Sequence, residues 1–100
     1  MVQATTPTFI LTLPDTVDLT IIQNMYFSLE QANTKLRKTG NDLSIEGNTV
    51  SVYLTQEETL KFNRGYAELQ LNWTYPDGHR ACSDIVTIPV GPNLIKEVVS

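Results

Sequence analysis

A single cysteine and a single histidine are all that this 100-residue chain offers to thiol, imidazole or soft-metal chemistry. One cysteine cannot staple a chain to itself, so the fold is expected to stand without an internal disulfide. With so few soft ligands no metal site is expected either. Lys and Arg number seven against eleven Asp and Glu, a formal net charge of −4. Phosphate binding needs clustered basic residues, which argues against a nucleic-acid partner. No stretch approaches the roughly 20 consecutive apolar residues that span a bilayer, so no membrane partner is expected. The start, Met1–Pro7 (MVQATTP), lacks a charged region followed by an apolar run. No signal peptide is therefore read, and the chain is expected to be cytoplasmic when synthesised.

What is present is apolar alternation. From Gly65 to Tyr75 the residues Ala67, Leu69, Leu71, Trp73 and Tyr75 share one face, and Glu68, Gln70, Asn72 and Thr74 share the other. Pro76-Asp77-Gly78 follows, then a second arm ending at Val90, so the pattern predicts a β-hairpin. With Asp77 and Gly78 as a two-residue loop, Pro76 faces His79, Trp73 faces Cys82, Leu69 faces Val86 and Ala67 faces Ile88. That register sets Asp84 inward against Leu71, unless a bulge near Ser83 or Asp84 turns it out.

Upstream, residues 1–7 read as a flexible segment and residues 8–100 as one domain. Phe9, Leu11 and Leu13 alternate to Pro14. Val17 to Ile22 reads as a short strand with Leu19 and Ile21 on one face. Met25, Phe27 and Leu29 define a third strand, Leu36 pins a fourth, Leu43–Ile45 is very short, and Val50, Val52 and Leu54 follow at period two. Lys35, Arg37 and Lys38 are the one basic cluster, at home on a charged edge strand. The period then changes: Thr55 and Glu58 form a capping box, predicting a helix from Gln56 to about Phe62 with Leu60 plugging one end of the core. Leu94–Ser100 fits a strand or an ordered tail. Strands punctuated by turns, with no crossover helix, predict an all-β fold: an immunoglobulin-like antiparallel β-sandwich of about seven strands with one short helix near 56–62.

Candidate chemistry is sparse. His79 and Cys82, three residues apart in a strand, point to opposite faces, which removes a thiol–imidazole dyad. Cys82 is then expected to be buried against Trp73. Glu57 and Glu58 are explained by the first helical turn, where the helix dipole favours negative charge. Asn72-Trp73-Thr74 matches a glycosylation sequon but reads as an outward strand pattern. No catalytic residue and no cofactor are predicted; the chain reads as a non-enzyme. More informative are apolar residues that parity turns outward: Ile10, Tyr26, Tyr53 and Ile85, with Ile22 beside them. Clustered on one sheet face they would mark a subunit or partner contact, and Tyr26 and Tyr53 are the side chains suited to stacking on sugars.

The run Leu54–Thr59 (LTQEET), then Phe62, Gly65, Gln70, and the turn Pro76–Gly78 followed by Arg80 and Ser83, resembles small β-sandwich proteins encoded in prophages of Gram-positive bacteria. The similarity extends to the N-terminal domains of phage baseplate upper proteins and covers about half the chain. It implies a virion structural protein with no cofactor and no turnover. Its partners would be copies of itself, as a homo-oligomer, or other phage structural proteins of tail, baseplate or capsid. Ile10, Tyr26, Tyr53 and Ile85 are the candidate interface. The competing class is a carbohydrate- or cell-surface-binding β-sandwich module, which needs aromatics converging on a groove.

Overall fold

Ten consecutive residues, Gly65–Thr74 (β6), form the longest strand, and their alternation fixes the rest of the large sheet. In the computed structural model, which describes residues 1–99, Ala67, Leu69, Leu71 and Trp73 are all buried. On one side β6 pairs antiparallel with Asn24–Gln31 (β2), setting Leu69 against Leu29, Leu71 against Phe27 and Trp73 against Met25. Apolar residues on adjacent strands thus meet on one face, the unit from which sheets draw stability. Thr34–Thr39 (β3) turns back beside β2 and forms the outer edge.

The second sheet has three strands in the order β1, β5, β4: Thr8–Thr12 (β1), Thr49–Tyr53 (β5) and Leu43–Glu46 (β4). Its inner face carries Val50 and Val52, fully buried, with Phe9, Leu11 and Leu43 packed against them. The sheets meet in one core, where the rings of Phe9 and Phe27 lie 5.9 Å apart at a tilt. A 3₁₀ turn at Gly40–Asp42 links β3 to β4. The strand order is that of an immunoglobulin-like sandwich: β1, β5 and β4 stand where strands B, E and D stand, and β3, β2 and β6 where C′, C and F stand. The place of strand G is shared by Arg80–Cys82 (β7) and Val86–Val90 (β8), both paired with β6.

The division of that last strand corrects the expected register at its turn end. Leu69 faces Val86 and Ala67 faces Ile88 as expected, but Trp73 faces Ala81 and Asn72 faces Cys82. The loop is three residues long, not two. The Tyr75 amide donates to the His79 carbonyl (2.9 Å), the Gly78 amide donates to the Tyr75 carbonyl (3.0 Å), and Gly78 takes φ 92°, a left-handed conformation glycine adopts without strain. Asp77 Oδ1 secures the turn by accepting from the His79 amide at 2.9 Å. The one-residue offset is cancelled by a bulge at the place expected. The Ser83 amide donates to the Leu71 carbonyl and the Ser83 hydroxyl accepts from the Leu71 amide, both at 2.9 Å, and Asp84 turns out to solvent. Cys82, expected inside against Trp73, is consequently exposed, and Ala81 packs at the core in its place.

Three other expectations change. Val17–Ile22 is no strand, because Asp18 Oδ1 accepts from both the amide (3.0 Å) and hydroxyl (2.6 Å) of Thr20 and bends the chain. Leu19 then enters the core while Ile21 stays exposed. The helix is Gln56–Leu60 (α1), capped as predicted by reciprocal bonds between Thr55 and Glu58, but Phe62 and Thr59 fill that end of the core and Leu60 is only half-buried. Residues 1–7, read as flexible, are tied down. Val2 bridges Gly91 in parallel, the Gln3 side-chain amide donates to the Phe62 carbonyl at 2.7 Å, and the buried Thr59 hydroxyl donates to the Thr5 carbonyl while accepting from its amide. Leu94–Val99 forms no strand and lies exposed on the surface, with the Gln56 side chain donating to the Val99 carbonyl and accepting from the Val99 amide.

Trp73 joins the two sheets beneath the turn, its indole N–H donating to the Tyr75 hydroxyl at 3.1 Å. Trp73→Ala is expected to cost about 3–5 kcal/mol, comparable to the margin of a small domain. Urea unfolding followed by circular dichroism measures it, and an unchanged midpoint would refute the inward placement of this face.

Candidate functional site

All four outward residues named from the sequence lie on the outer faces, and the sandwich divides them two and two. Pairing of β1 with β5 sets Thr8 opposite Tyr53 and Ile10 opposite Ser51, so Ile10 and Tyr53 are diagonal neighbours on the small sheet. They are 68% and 52% exposed. Around them stand Thr12, Ser44, Thr49 and Ser51, and the one charged residue pointing the same way is Glu46. The face is thus nearly free of charge. At its helical end Tyr53 shares a groove with Thr6, Thr55, Gln56, the charged Glu57 and the exposed Val98.

Tyr26 and Ile85 belong to the opposite side of the molecule. Tyr26, half-buried, pairs with Asn72 on the outer face of the large sheet and lines a groove with Ser28, Arg37, Thr74 and Arg80. The Arg80 guanidinium donates twice to Asn72 Oδ1, at 3.0 and 3.3 Å. Further along the same face Ile85, 57% exposed, lies beside Ser28, Glu30, Glu68 and Gln70. Ile22, the fifth outward candidate, is instead half-buried and packs against the core. Tyr26 and Tyr53, on opposite faces, cannot stack on one sugar.

Between the two faces the sandwich has an open edge. Among the described residues β1 is the end strand of the small sheet and pairs only with β5. Its five residues, Thr8-Phe9-Ile10-Leu11-Thr12, include neither a charge nor a proline, the devices that protect edges from adding another strand. Beside it opens a mainly apolar cleft of about 380 Å³ lined by Leu11, Leu13, Val17, Leu71, Trp73 and Val86, with Ser83 and Asp84 on one side. By contrast the edge of the large sheet, β3, carries Lys35, Arg37 and Lys38.

Charge chemistry is local. Lys38 reaches across the end of the sandwich to Glu58 at 2.7 Å, and both side chains are largely buried, 13% and 19% exposed. Partial burial by itself raises the Glu58 carboxyl; hydrogen bonds from Lys38 and the Thr55 amide, with the ammonium charge, outweigh it and hold the group below its usual range. Asp77 is likewise lowered, by the backbone amide and then the ring of His79, whose Nδ1 lies 2.8 Å from Oδ2. This contact closes a solvent-exposed turn. Among the described residues no three of His, Cys, Asp and Glu gather as metal ligands, and no helix is long and apolar enough to cross a membrane. Comparison with known proteins finds no match: no family model, no curated protein and no solved structure corresponds to the chain.

Two measurements check this geometry. Cys82 is expected to react with an aromatic disulfide reagent in the folded protein as fast as a free thiol; protection until unfolding would restore the inward register. Glu58→Gln keeps the cap's hydrogen-bonding capacity and removes the charge, so it is expected to cost about 1 kcal/mol at neutral pH. The folded carboxyl titrates below its unfolded value near 4.5. Its contribution is therefore full above that value and is lost as pH falls through the folded one. The gap between variant and native protein in urea unfolding should close on acidification, and a gap independent of pH would refute the ion pair's part.

Proposed function

We propose that this chain is a non-enzymatic structural module that acts by assembly, packing on copies of itself or on neighbouring proteins of a phage virion. The observation that carries the reading is β1: an uncharged, unpaired edge strand that presents Ile10 to solvent and borders an apolar cleft. Natural sheets cover or charge such edges unless something pairs with them. The neighbouring face, bearing Tyr53 among Thr and Ser side chains, extends the same surface, with Glu46 as the one carboxylate on its strands. The setting in a virion rests on the resemblance of the Leu54–Ser83 pattern to prophage β-sandwich proteins.

A carbohydrate-binding module is the second reading, and the polar groove beside Tyr26 favours it, since a half-buried aromatic there is surrounded by Ser, Thr, Asn and Arg. Tyr53 cannot contribute to that groove. Size exclusion with light scattering, from dilute to concentrated protein, separates the readings. Assembly predicts a mass that rises with concentration and returns to the monomer in Ile10→Lys/Tyr53→Ser, with the circular dichroism unchanged. A strict monomer that is retained on a glycan array, and loses that retention in Tyr26→Ala, would favour the second reading.

A further inference from the structure

We infer that the open side of β1 receives residues 94–99 of a second copy, which add to the small sheet as one antiparallel strand. This rests on the assembly reading and identifies the segment that fills the edge.

The backbone of β1 is satisfied on one side only. The Leu54 amide donates to the Pro7 carbonyl and the Leu13 amide to the Asn48 carbonyl. In the register of β1 with β5 the odd-numbered residues therefore bond to β5, and Thr8, Ile10 and Thr12 turn their N–H and C=O groups outward. In the immunoglobulin order strand A lies there, next to strand B. Here the residues ahead of β1 pass to the other sheet, where Val2 bridges Gly91, and among the described residues no strand takes that place. The place is deep as well as open. Leu11 and Leu13 line one side of the cleft beneath it, Leu71, Trp73 and Val86 the other, with Ser83 and Asp84 beside them. Because the β7–β8 arm borders this cleft, the place admits a lone strand whose side chains enter the cleft, and not the edge of another two-layered sandwich.

One segment of the chain has the matching character. Residues 94–99, Leu-Ile-Lys-Glu-Val-Val, lie outside every strand, and Leu94, Ile95, Val98 and Val99 are each half or more exposed. Their backbone bonds go to side chains, Ile95 to Asn93 and Val99 to Gln56. Extended, the segment puts Leu94, Lys96 and Val98 on one face and Ile95, Glu97 and Val99 on the other. Charge selects between them. With the first face inward Lys96 comes to Asp84, which belongs to neither ion pair of the described residues, Lys38–Glu58 and His79–Asp77. With the second inward Glu97 would face that same carboxylate, a repulsion that excludes it. The selected face sends Leu94 and Val98 onto the apolar lining and sets Ile95, Glu97 and Val99 opposite Thr12, Ile10 and Thr8, where each pair exchanges N–H···O=C bonds.

Direction calls for a second copy. In its own chain Asn93 is held at the Gln3 carbonyl (3.0 Å) and Val98 lies beside Thr6. The segment thus sets out from the end of the sandwich where β1 begins, and could only run parallel to it. The antiparallel pairing, more stable per residue, comes from another copy. Each chain then offers one donor segment and one acceptor edge, a heterologous contact.

Backbone-directed substitutions test this in the full chain. The Ile10 N–H faces away from β5, so Ile10→Pro closes the acceptor edge and leaves the β1–β5 ladder whole; Glu97→Pro disables the donor. Each alone should keep the native circular dichroism and stay monomeric by light scattering at concentrations where the native chain exceeds the monomer mass. Mixed in equal amounts, they should form a complex of twice the monomer mass, because one intact edge and one intact segment remain. Charge exchange gives a second readout that spares the backbone: Asp84→Lys and Lys96→Glu should each lose association alone and regain it when mixed. Native-like association of Glu97→Pro, or folded variants that mix without forming a complex, would overturn the proposal. If Ile10→Pro abolishes association while Glu97→Pro and Lys96→Glu do not, the edge assembles through another occupant, so the assembly reading stands and this donor falls. A native chain that stays monomeric at high concentration would overturn the proposal and leave assembly to proteins other than itself.

Discussion

The structure depends on keeping one face of β6 dry along its whole length. Ala67, Leu69, Leu71 and Trp73 are at most 3% exposed, and a slip of one residue would exchange them for Glu68, Gln70 and Asn72 between the sheets. Burying three polar side chains without partners costs several kcal/mol, as much as the net stability of a domain this size. No neighbouring strand can therefore pair out of phase with that pattern. Irregularity has to be absorbed elsewhere, and it is absorbed twice on the returning arm. The three-residue turn shifts the pairing by one residue, and the bulge at Ser83 shifts it back before Val86.

That pair of offsets decides which side chains the outer surface carries. A two-residue turn would send Arg80 and Cys82 between the sheets and Ala81 out. With Gly78 in its left-handed conformation the parity of β7 is reversed: Arg80 lies over β6 against Asn72, and Ala81 reaches the core beside Trp73. Glycine at this position therefore determines more than a bend, because the charge pattern of the large outer face follows from it. The bulge serves the same end by turning Asp84 away from the core, where an unpaired carboxylate would be untenable.

How far the fold was legible in the sequence follows from the range of the interactions. The strands carrying Met25–Leu29, Val50–Leu54 and Ala67–Trp73 are readable because alternation is local, and the capping box because its two bonds span three residues. The turn type at Pro76–Gly78 is not, since Asp-Gly suits both two- and three-residue loops and the choice depends on which arm position must face Trp73. Val17–Ile22 has strand composition, yet the Asp18 side chain offers the backbone a competing bond. Thr59 gives no local signal at all. Its hydroxyl takes both backbone groups of Thr5, 54 residues away, standing in for a neighbouring strand. Outward parity was readable at Ile10, Tyr26, Tyr53 and Ile85, but their division between two faces depends on strand order, which no local pattern specifies.

The two outer faces differ in the physics of any contact they make. Around Ile10 and Tyr53 the small sheet offers almost no charge, so contacts there would be governed by desolvation and strand pairing and respond little to salt. On the large sheet Lys35 and Arg37 line the outer edge beside Glu30 and Ser28, Glu68 stands opposite Glu30, and Arg80 lies at the far end, so contacts there depend on orientation and weaken with salt.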